Sequence, residues 1–425
     1  MKRFNFLFTF ILAVFTLSAC GQGSNVKVKP NIPNPYKVKA EDIDKPKNRF
    51  AKFRTGAEQT EVYLPLLKGK RIGMVVNPTS IIGKETVVDS LVKRGVNIVK
   101  IFGPEHGFRG DASAGVHVDD AVDAKTGIKA ISLYGKHSTP TKEDLVDVDL
   151  MIFDIQDVGV RFYTYMNTLQ HVMEACARDG KEVMILDRPN PNGYFIDGPI
   201  LDPKFISGIG LQPIPIVHGL TLGEYAQMLN GEGWLKDKLK CKITVIKNAA
   251  YTHDMPYVLP VKPSPNLNTA QSILLYPSTC LFEGIYLNHG RGTQFPFTVL
   301  GAPYLKGIYK FSYTPTGIKG MAETPIFKDQ VCYGIDLRNF DTSILRKTKQ
   351  INLDWVIQLY KASPKKEDFF NSKLSNQTMP IERLIGVGDF RQQIIAGKSE
   401  KEIRASWEPG LSKYKVMRKK YLLYA

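Results

Sequence analysis

The sequence has few cysteines and none of the short motifs that mark common cofactor or metal sites. Its five cysteines are widely separated and form no C-x-x-C pair, which excludes a disulfide framework and a zinc site by spacing. Neither G-x-G-x-x-G nor a P-loop follows the first predicted strand, so no nucleotide is expected. No G-x-S-x-G occurs, which argues against a serine hydrolase. A metal site of His106, Asp111 and His117 has no supporting ligand spacing, and we expect neither metal nor cofactor.

Long apolar runs are missing too, except at the amino terminus. There, two basic residues precede an apolar run that ends in Leu17-Ser-Ala-Cys20, a pattern typical of a lipoprotein signal. We interpret residues 1–19 as a signal peptide, Cys20 as the lipidated residue and 20–49 as a polar tether. An ordinary signal peptide cut after Ala19 and an amino-terminal membrane anchor are the alternatives.

No later stretch approaches the ~20 apolar residues of a membrane helix. The sequence therefore predicts a lipoprotein of the cell envelope, anchored in a membrane and facing the periplasm or the exterior. Its net charge of +16 suits an anionic partner. The export signal and the lack of a recognition motif argue against nucleic acid, whereas anionic wall polymer or acidic lipid fits this location. A merely solubilising surface is the alternative.

From residue 70 onward, short continuous apolar runs alternate with helical patterns. Continuous rather than alternating runs are typical of strands that helices cover on both faces. The pattern predicts an α/β fold, with a Rossmann-like doubly wound parallel sheet in residues 50–265. A smaller α+β domain, residues 266–425, is expected to close the cleft. Predicted strands are 71–76, 96–102, 130–134, 148–155, 182–186 and 243–246, and predicted helices are 84–94, 142–146, 161–178, 221–230, 353–363 and 406–421.

Polar side chains follow nearly every predicted strand. Glu105 and His106 come directly after an apolar run that stops at Gly103-Pro104. Because parallel strands end at one edge of a sheet, we expect these loops to converge on one cleft. Each residue alone could equally be a turn or cap residue. The set comprises Asn77, Glu105, His106, Asp154, Gln156, Asp157, Arg161, Asp187 and Arg188.

With serine and metal chemistry unsupported, carboxylate chemistry is left. Glycoside hydrolysis needs an acid at the leaving oxygen and usually a second carboxylate. Glu105 is the acid candidate, because its apolar neighbours would desolvate it and raise its pKa. Glu283 is the candidate for the second group, although an ion pair with Arg291 or Arg161 would explain it equally well. Tyr163 offers a ring for stacking on a sugar.

Several long motifs together resemble one known family. Gly103-Pro-Glu-His-Gly107, Asp154-Ile-Gln-Asp157, Asp187-Arg-Pro-Asn-Pro191, Ser264-Pro-Asn-Leu267 and Gly290-Arg-Gly-Thr293 are similar to motifs of the exo-β-N-acetylmuramidases. The resemblance runs from about residue 70 to the carboxyl-terminal tail. It implies a Rossmann-like domain with a smaller second domain, release of terminal N-acetylmuramic acid from peptidoglycan fragments, and a catalytic Glu105.

The substrate of that family fits the residues. N-acetylmuramic acid carries a lactyl carboxylate, for which Arg161 and Arg291 are candidate partners. His106, Asn77, Tyr163 and Asn266 complete the expected substrate contacts. Inversion, retention and assistance by the substrate's own acetamide all stay open. Two other functions are also open: a peptidoglycan amidase or esterase, and a non-catalytic lipoprotein that binds muropeptides.

Overall fold

A computed structural model describes residues 53–105, 107–109, 121–135, 137–371, 374 and 380–425 of the chain. The predicted signal peptide, Cys20, the tether and His106 lie outside the described residues. Within the described ranges, no helix is both long enough and apolar enough to cross a membrane. The four cysteines after Cys20 are all buried and free, and Cys176 is a core residue as expected.

A seven-stranded, mostly parallel sheet forms the centre of the first domain. Six strands run parallel in the order β6-β4-β1-β7-β8-β9, and the short β5 pairs antiparallel at one edge. The chain thus moves outward from β1 to one side and then to the other, which is the predicted doubly wound arrangement. The strands are β1 Ile72–Val76, β4 Ile98–Gly103, β5 Ala121–Val122, β6 Lys129–Ser132, β7 Leu150–Asp154, β8 Glu182–Leu186 and β9 Ile243–Ile246, with a hairpin of β2 Ile81–Ile82 and β3 Glu85–Thr86.

Helices cover both faces of this sheet. Every residue of β1 and β7 is buried, as expected for central strands packed on two sides. Two apolar clusters form, one on each face, around Phe153 and around Ile152. The helices are Thr60–Leu67, Val87–Lys93, Lys142–Leu145, Tyr165–Arg178 and Leu222–Gly231.

The helix expected from Arg161 begins only at Tyr165. Val160 pairs with Val217, and the Arg161 N–H donates to the Ile216 carbonyl at 2.8 Å. This long-range pairing, and a turn in which the Tyr163 N–H donates to the Val160 carbonyl at 3.0 Å, override the local helical pattern. The helix Leu222–Gly231 does have the expected capping box of Thr221 and Glu224.

The smaller second domain packs a three-stranded antiparallel sheet against short helices. β12 Cys332–Asp336 lies between β10 Val299–Ala302 and β11 Phe311–Tyr313. Its core is rich in aromatic residues, including the fully buried Phe282 and Phe297. The helices are Ala270–Thr279, Ser343–Thr348, Asp354–Ala362, Lys366–Phe369, Ile381–Ile385, Phe390–Ile395 and Glu400–Arg418.

The last helix brings the chain back to the parallel sheet. Glu400–Arg418 begins earlier than predicted, at a capping box formed by Ser399 and Glu402. Tyr414 in this helix donates to the His218 carbonyl at 2.8 Å. Beyond it, Tyr424 donates to Asp187 at 2.6 Å, close to the carboxyl end of β8. The carboxyl-terminal segment therefore stabilises the loops of the first domain.

Candidate functional site

Loops from three neighbouring strands are hydrogen-bonded together at the carboxyl edge of the sheet. The Gln156 N–H after β7 donates to the Thr79 hydroxyl after β1 at 3.0 Å. Its side-chain amide donates to the Pro189 carbonyl after β8 at 2.6 Å. The crevice between β1 and β7 is where the winding direction of the sheet changes, the usual ligand position in such folds. Three of the five loops that were predicted to converge are thus hydrogen-bonded to one another.

Glu105 lies in a tight turn directly after β4, next to this crevice. The Gly107 N–H donates to the Pro104 carbonyl at 2.9 Å, which closes the turn. Gly103 is needed here, because a β-carbon on it would come within 2.9 Å of the Phe108 nitrogen. Glu105 is only partly buried.

Tyrosines surround the Glu105 carboxylate. Tyr134 follows β6, the strand that pairs with β4, and hydrogen-bonds to Glu105; burial and then this carboxylate raise the pKa of Tyr134 to about 12. Burial raises the pKa of Tyr163 and of Tyr165, and Glu105 adds to both shifts. The last two rings lie 5.1 Å apart and are nearly perpendicular. These hydroxyls stay protonated at neutral pH.

The side chain of Asn77, after β1, is buried and fixes its surroundings. Its oxygen accepts from the Thr79 N–H at 2.9 Å, which is a turn-forming role. Its amide nitrogen lies beside the Tyr165 hydroxyl and lowers the pKa of that tyrosine, against the larger upward effect of burial. Asn77 therefore positions Tyr165 and the turn after β1.

Asp157 and His218 form a buried couple close to the tyrosines. Asp157 Oδ2 accepts from the Gly159 N–H at 2.6 Å and lies 3.6 Å from His218 Nε2. His218 Nδ1 accepts from the Leu220 N–H at 3.1 Å, so in the neutral ring the proton is on Nε2 and faces the carboxylate. Asp157 Oδ1 is buried and has no hydrogen-bond partner among the described residues. Local sequence gave no signal for His218, whose partner lies 61 positions away.

Glu283 forms an ion pair with Arg291 in the second domain. Glu283 Oε1 is 2.6 Å from Arg291 Nη2, and the side chains are 23% and 27% exposed. Burial raises the pKa of Glu283, but Arg291 and then His289 outweigh it, so the net shift is downward. His289 accepts from Arg291 Nε at 3.2 Å, and burial lowers its pKa to about 4, so it is neutral. The cluster therefore presents an ionised carboxylate and a guanidinium at a partly open surface.

A row of aromatic rings joins the two regions. Tyr163 donates to the Pro263 carbonyl at 2.6 Å, and its ring lies 6.1 Å from that of Tyr276. Glu283 and Arg291 both act on the pKa of Tyr276, which burial raises. Glu105 thus lies near Tyr163, and Glu283 lies near Tyr276.

Other predicted site residues are buried in structural contacts. Asp154 and Arg188 form an ion pair with Nε–Oδ1 of 2.5 Å, and their side chains are 0% and 3% exposed. Asp187 accepts from the Gly223 N–H at 2.9 Å and from Tyr424. Since these groups expose almost no surface, we leave them out of the proposed site.

Arg161 and Asn266 connect distant segments. Arg161 is 2% exposed, and its Nη2 donates to the Leu384 and Ile385 carbonyls at the end of a second-domain helix. Burial lowers its pKa to about 9. Asn266 Nδ2 donates to the Met321 carbonyl at 2.9 Å. Arg161 was one of two candidates for a substrate carboxylate; as it is buried against the second domain, Arg291 is the accessible one.

Among the described residues, no group of three or more histidine, cysteine, aspartate or glutamate side chains could hold a metal ion.

Sequence reasoning did not single out Tyr134 and His218. A signal for Tyr134 was present, because it follows β6 just as Glu105 follows β4.

Known proteins similar to this chain share its whole architecture. The chain is 38% identical over 381 residues to the peptidoglycan beta-N-acetylmuramidase NamZ of Bacillus subtilis (strain 168), covering 85% of this chain and 89% of the relative. A crystal structure of a DUF1343 family protein from Bacteroides fragilis NCTC 9343 has a TM-score of 0.80 and 43% identity, covering 88% of this chain and 99% of that one. A second such structure from the same strain has a TM-score of 0.73 and 29% identity, with 89% and 100% covered.

Two family models match consecutive parts of the chain. Residues 72–271 match the amino-terminal model of the exo-beta-N-acetylmuramidase NamZ, and residues 274–424 match the carboxyl-terminal model. Together the two matches span the parallel sheet and the smaller second domain. The chain therefore belongs to the exo-beta-N-acetylmuramidase NamZ family.

Proposed function

We propose that this glycoside hydrolase removes terminal N-acetylmuramic acid from peptidoglycan fragments, with Glu105 as the proton donor to the glycosidic oxygen. The observation that carries the proposal is the partly buried Glu105, fixed in a closed turn after β4, the neighbour of β1, and hydrogen-bonded to Tyr134. A general acid must lie at the leaving oxygen and have its orientation fixed. Family membership supports the substrate class.

The tyrosines and Asn77 have a supporting role in this proposal. The partly buried ring of Tyr163 offers an apolar face to a sugar. Tyr165 and Asn77 are buried beside it and hold its position. Asp157 and His218 hold the adjoining turn, and we assign them a positioning role because neither reaches the surface.

Glu283 and Arg291 are proposed to complete the site. An ionised Glu283 suits the second carboxylate of a glycosidase, which acts as base, nucleophile or stabiliser of positive charge. The recorded hydrogen bonds of Arg291 use Nε and Nη2, which leaves Nη1 for the lactyl carboxylate of the substrate. In this arrangement Arg291 distinguishes N-acetylmuramic acid from N-acetylglucosamine.

The test is hydrolysis of a chromogenic N-acetylmuramide by residues 21–425, beside the matching N-acetylglucosaminide. We expect cleavage of the muramide only, and a loss of about 10²–10⁴-fold in kcat for Glu105→Gln, the range that general acid catalysis contributes. Glu58→Gln, which removes a carboxylate from another part of the first domain, is the control and keeps full activity. Cleavage of the glucosaminide alone, or full activity in Glu105→Gln, would overturn the proposal.

As a peptidoglycan-acting enzyme, the protein works in the cell envelope or outside the cell. We propose in addition that Cys20 is lipidated and that residues 20–49 link the enzyme to a membrane. Leu17-Ser-Ala-Cys20 supports this anchor. Replacement of Cys20 by serine should release the protein from the membrane fraction, and retention of Cys20→Ser there would exclude a lipid anchor.

A further inference from the structure

Tyr134, at the end of β6, lies level with Glu105, at the end of β4. Gly103 pairs with Ser132 where the two strands end, and the Leu133 N–H donates to the Gly103 carbonyl at 2.8 Å. Glu105 and Tyr134 each follow this pair by two residues. Because the strands are parallel, their carboxyl ends bring the two side chains together at one edge of the sheet. There the Tyr134 hydroxyl hydrogen-bonds to Glu105.

The backbone fixes the position of the Tyr134 ring. The Tyr134 N–H donates to the Ser132 hydroxyl at 3.3 Å. Gly135, which follows, has a φ of 83°, a left-handed conformation that glycine adopts without strain and that turns the chain away from the strand. Tyr134 is partly buried, and its ring has only two side-chain torsions to fix. The hydroxyl is therefore held beside Glu105 at a small cost in conformational entropy.

The strand order puts Tyr134 on the side of Glu105 that is away from the β1–β7 crevice. The order is β6-β4-β1-β7, so the loop that carries Glu105 lies between the loop that carries Tyr134 and the crevice. Tyr163 and Tyr165 follow β7 and therefore approach Glu105 from the crevice side. Tyr134 can thus bind the Glu105 side chain without taking up space that a substrate needs.

The Tyr134 hydroxyl acts as a donor in this contact. Burial and then the Glu105 charge raise the pKa of Tyr134 to about 12, so the hydroxyl keeps its proton at neutral pH. A protonated carboxyl group has one oxygen that accepts a hydrogen bond and one that carries the proton. When Tyr134 donates to the accepting oxygen, the acid proton lies on the other oxygen of Glu105.

We propose that Tyr134 is a positioning residue for the general acid: its hydroxyl binds one oxygen of the Glu105 carboxyl group and directs the other, protonated oxygen toward the glycosidic oxygen. This role rests on the proposed function of Glu105. As the glycosidic bond breaks, its electron pair stays on the leaving oxygen, which takes the Glu105 proton. The water consumed in hydrolysis supplies a hydroxyl group to the sugar and a proton that restores the enzyme. Until then Glu105 is a carboxylate, and its hydrogen bond from Tyr134 is stronger because the acceptor is charged. Tyr134 therefore favours the transition state over the bound substrate.

Two substrates with different leaving groups test this role in the full chain. N-acetylmuramyl-N-acetylglucosamine needs a proton at its leaving oxygen, whereas dinitrophenyl N-acetylmuramide releases a stable phenolate without one. Tyr134→Phe removes the hydroxyl and keeps the ring. We expect its kcat/KM to fall about 10–100-fold for the disaccharide, as for the loss of a hydrogen bond to a charged group, and less than about twofold for the dinitrophenyl substrate. A purely structural role would lower both values equally.

Two further variants separate the causes of a loss. Tyr309→Phe, at a partly buried tyrosine of the second domain, is the matched control and keeps both activities. Glu105→Gln should lose the disaccharide activity and keep more of the activity on the dinitrophenyl substrate. Full disaccharide activity in Glu105→Gln would overturn the proposed function and the role of Tyr134 with it. Loss in Glu105→Gln beside full disaccharide activity in Tyr134→Phe, or an equal loss on both substrates in Tyr134→Phe, would overturn the role of Tyr134 alone.

Discussion

Two of the carboxylate–arginine ion pairs among the described residues lie in very different surroundings. Asp154–Arg188 joins β7 to the loop after β8 and is sealed from solvent, whereas Glu283–Arg291 in the second domain keeps about a quarter of each side chain exposed. Burial raises the pKa of Asp154, and the nearby Arg188 opposes it without reversing it; in Glu283 the arginine prevails. The Asp154–Arg188 pair is therefore a structural contact, whereas the Glu283–Arg291 pair keeps surface that a ligand could contact.

The largest expected effect tests the sealed pair. Asp154→Ala leaves Arg188 buried without its counter-charge, and should lower the free energy of unfolding by about 3–5 kcal/mol. Urea unfolding measures this loss. The double variant Asp154→Leu, Arg188→Met removes both charges and should recover most of it. A loss below about 1 kcal/mol in Asp154→Ala would mean that this pair behaves like a surface pair.

Disruption of the partly exposed Glu283–Arg291 pair should lower activity strongly and the free energy of unfolding only slightly. Arg291→Ala should reduce kcat/KM for an N-acetylmuramide about 10–100-fold, the cost of a lost charge-assisted contact. Unfolding should change by no more than about 1 kcal/mol, because the pair is partly solvated. Arg291→Lys keeps the positive charge but lacks the planar guanidinium, so its kcat/KM should lie between those of the native protein and Arg291→Ala. A large loss of stability with unchanged selectivity would make Glu283–Arg291 a second structural pair.

Asp187 extends the comparison to a buried carboxylate whose hydrogen-bonding partners are uncharged. Burial raises its pKa to about 6. Its folded-state pKa thus lies above the ordinary value, so its contribution to stability is present below pH 4 and is lost as pH rises to 6. Relative to Asp187→Asn, the native protein should lose about 2–3 kcal/mol between pH 4 and pH 7, given ~1.4 kcal/mol per pKa unit.

Asp149 supplies a control of opposite sign for this measurement. Its exposed ion pair with Arg71 lowers the pKa of Asp149, so its contribution is lost as pH falls. Relative to Asp149→Asn, the native protein should therefore lose stability as pH falls below 4 and change little between pH 4 and pH 7. Denaturant curves at both pH values give the two slopes, and equal slopes for Asp187 and Asp149 would refute the assignment.

The parallel sheet could be predicted closely because its signals are local. Glu182–Leu186 and Ile243–Ile246 are continuous apolar runs between polar turns, and both strands have the predicted limits. The start of the helix at Tyr165 could not be predicted, because it depends on pairing between Val160 and Val217. The capping box at Ser399 was visible in the sequence and would have given the start of the last helix.

The candidate site was predictable where it follows strand ends. Glu105 and Asn77 both follow strands of the sheet, and their convergence needs only parallel topology. Sequence alone does not indicate whether a charged side chain binds a ligand or another residue of the protein. Arg161 and Arg291 both lie in family-like motifs, and local sequence does not distinguish them. In the structure, Arg161 donates to carbonyls 223 and 224 positions away, whereas Arg291 lies at a partly open surface.

The return of the carboxyl-terminal segment has a consequence for synthesis. Tyr424 bonds to Asp187 across 237 positions, and Tyr414 and Arg418 bond to the carbonyls of His218 and Gly219. A chain that emerges amino terminus first cannot complete these loops until its last residues follow, and such distant contacts form slowly. Every chain that stops before Tyr414 lacks all of them. We therefore expect truncated chains to have incompletely folded loops in the first domain and to be degraded by proteases more readily than the full chain.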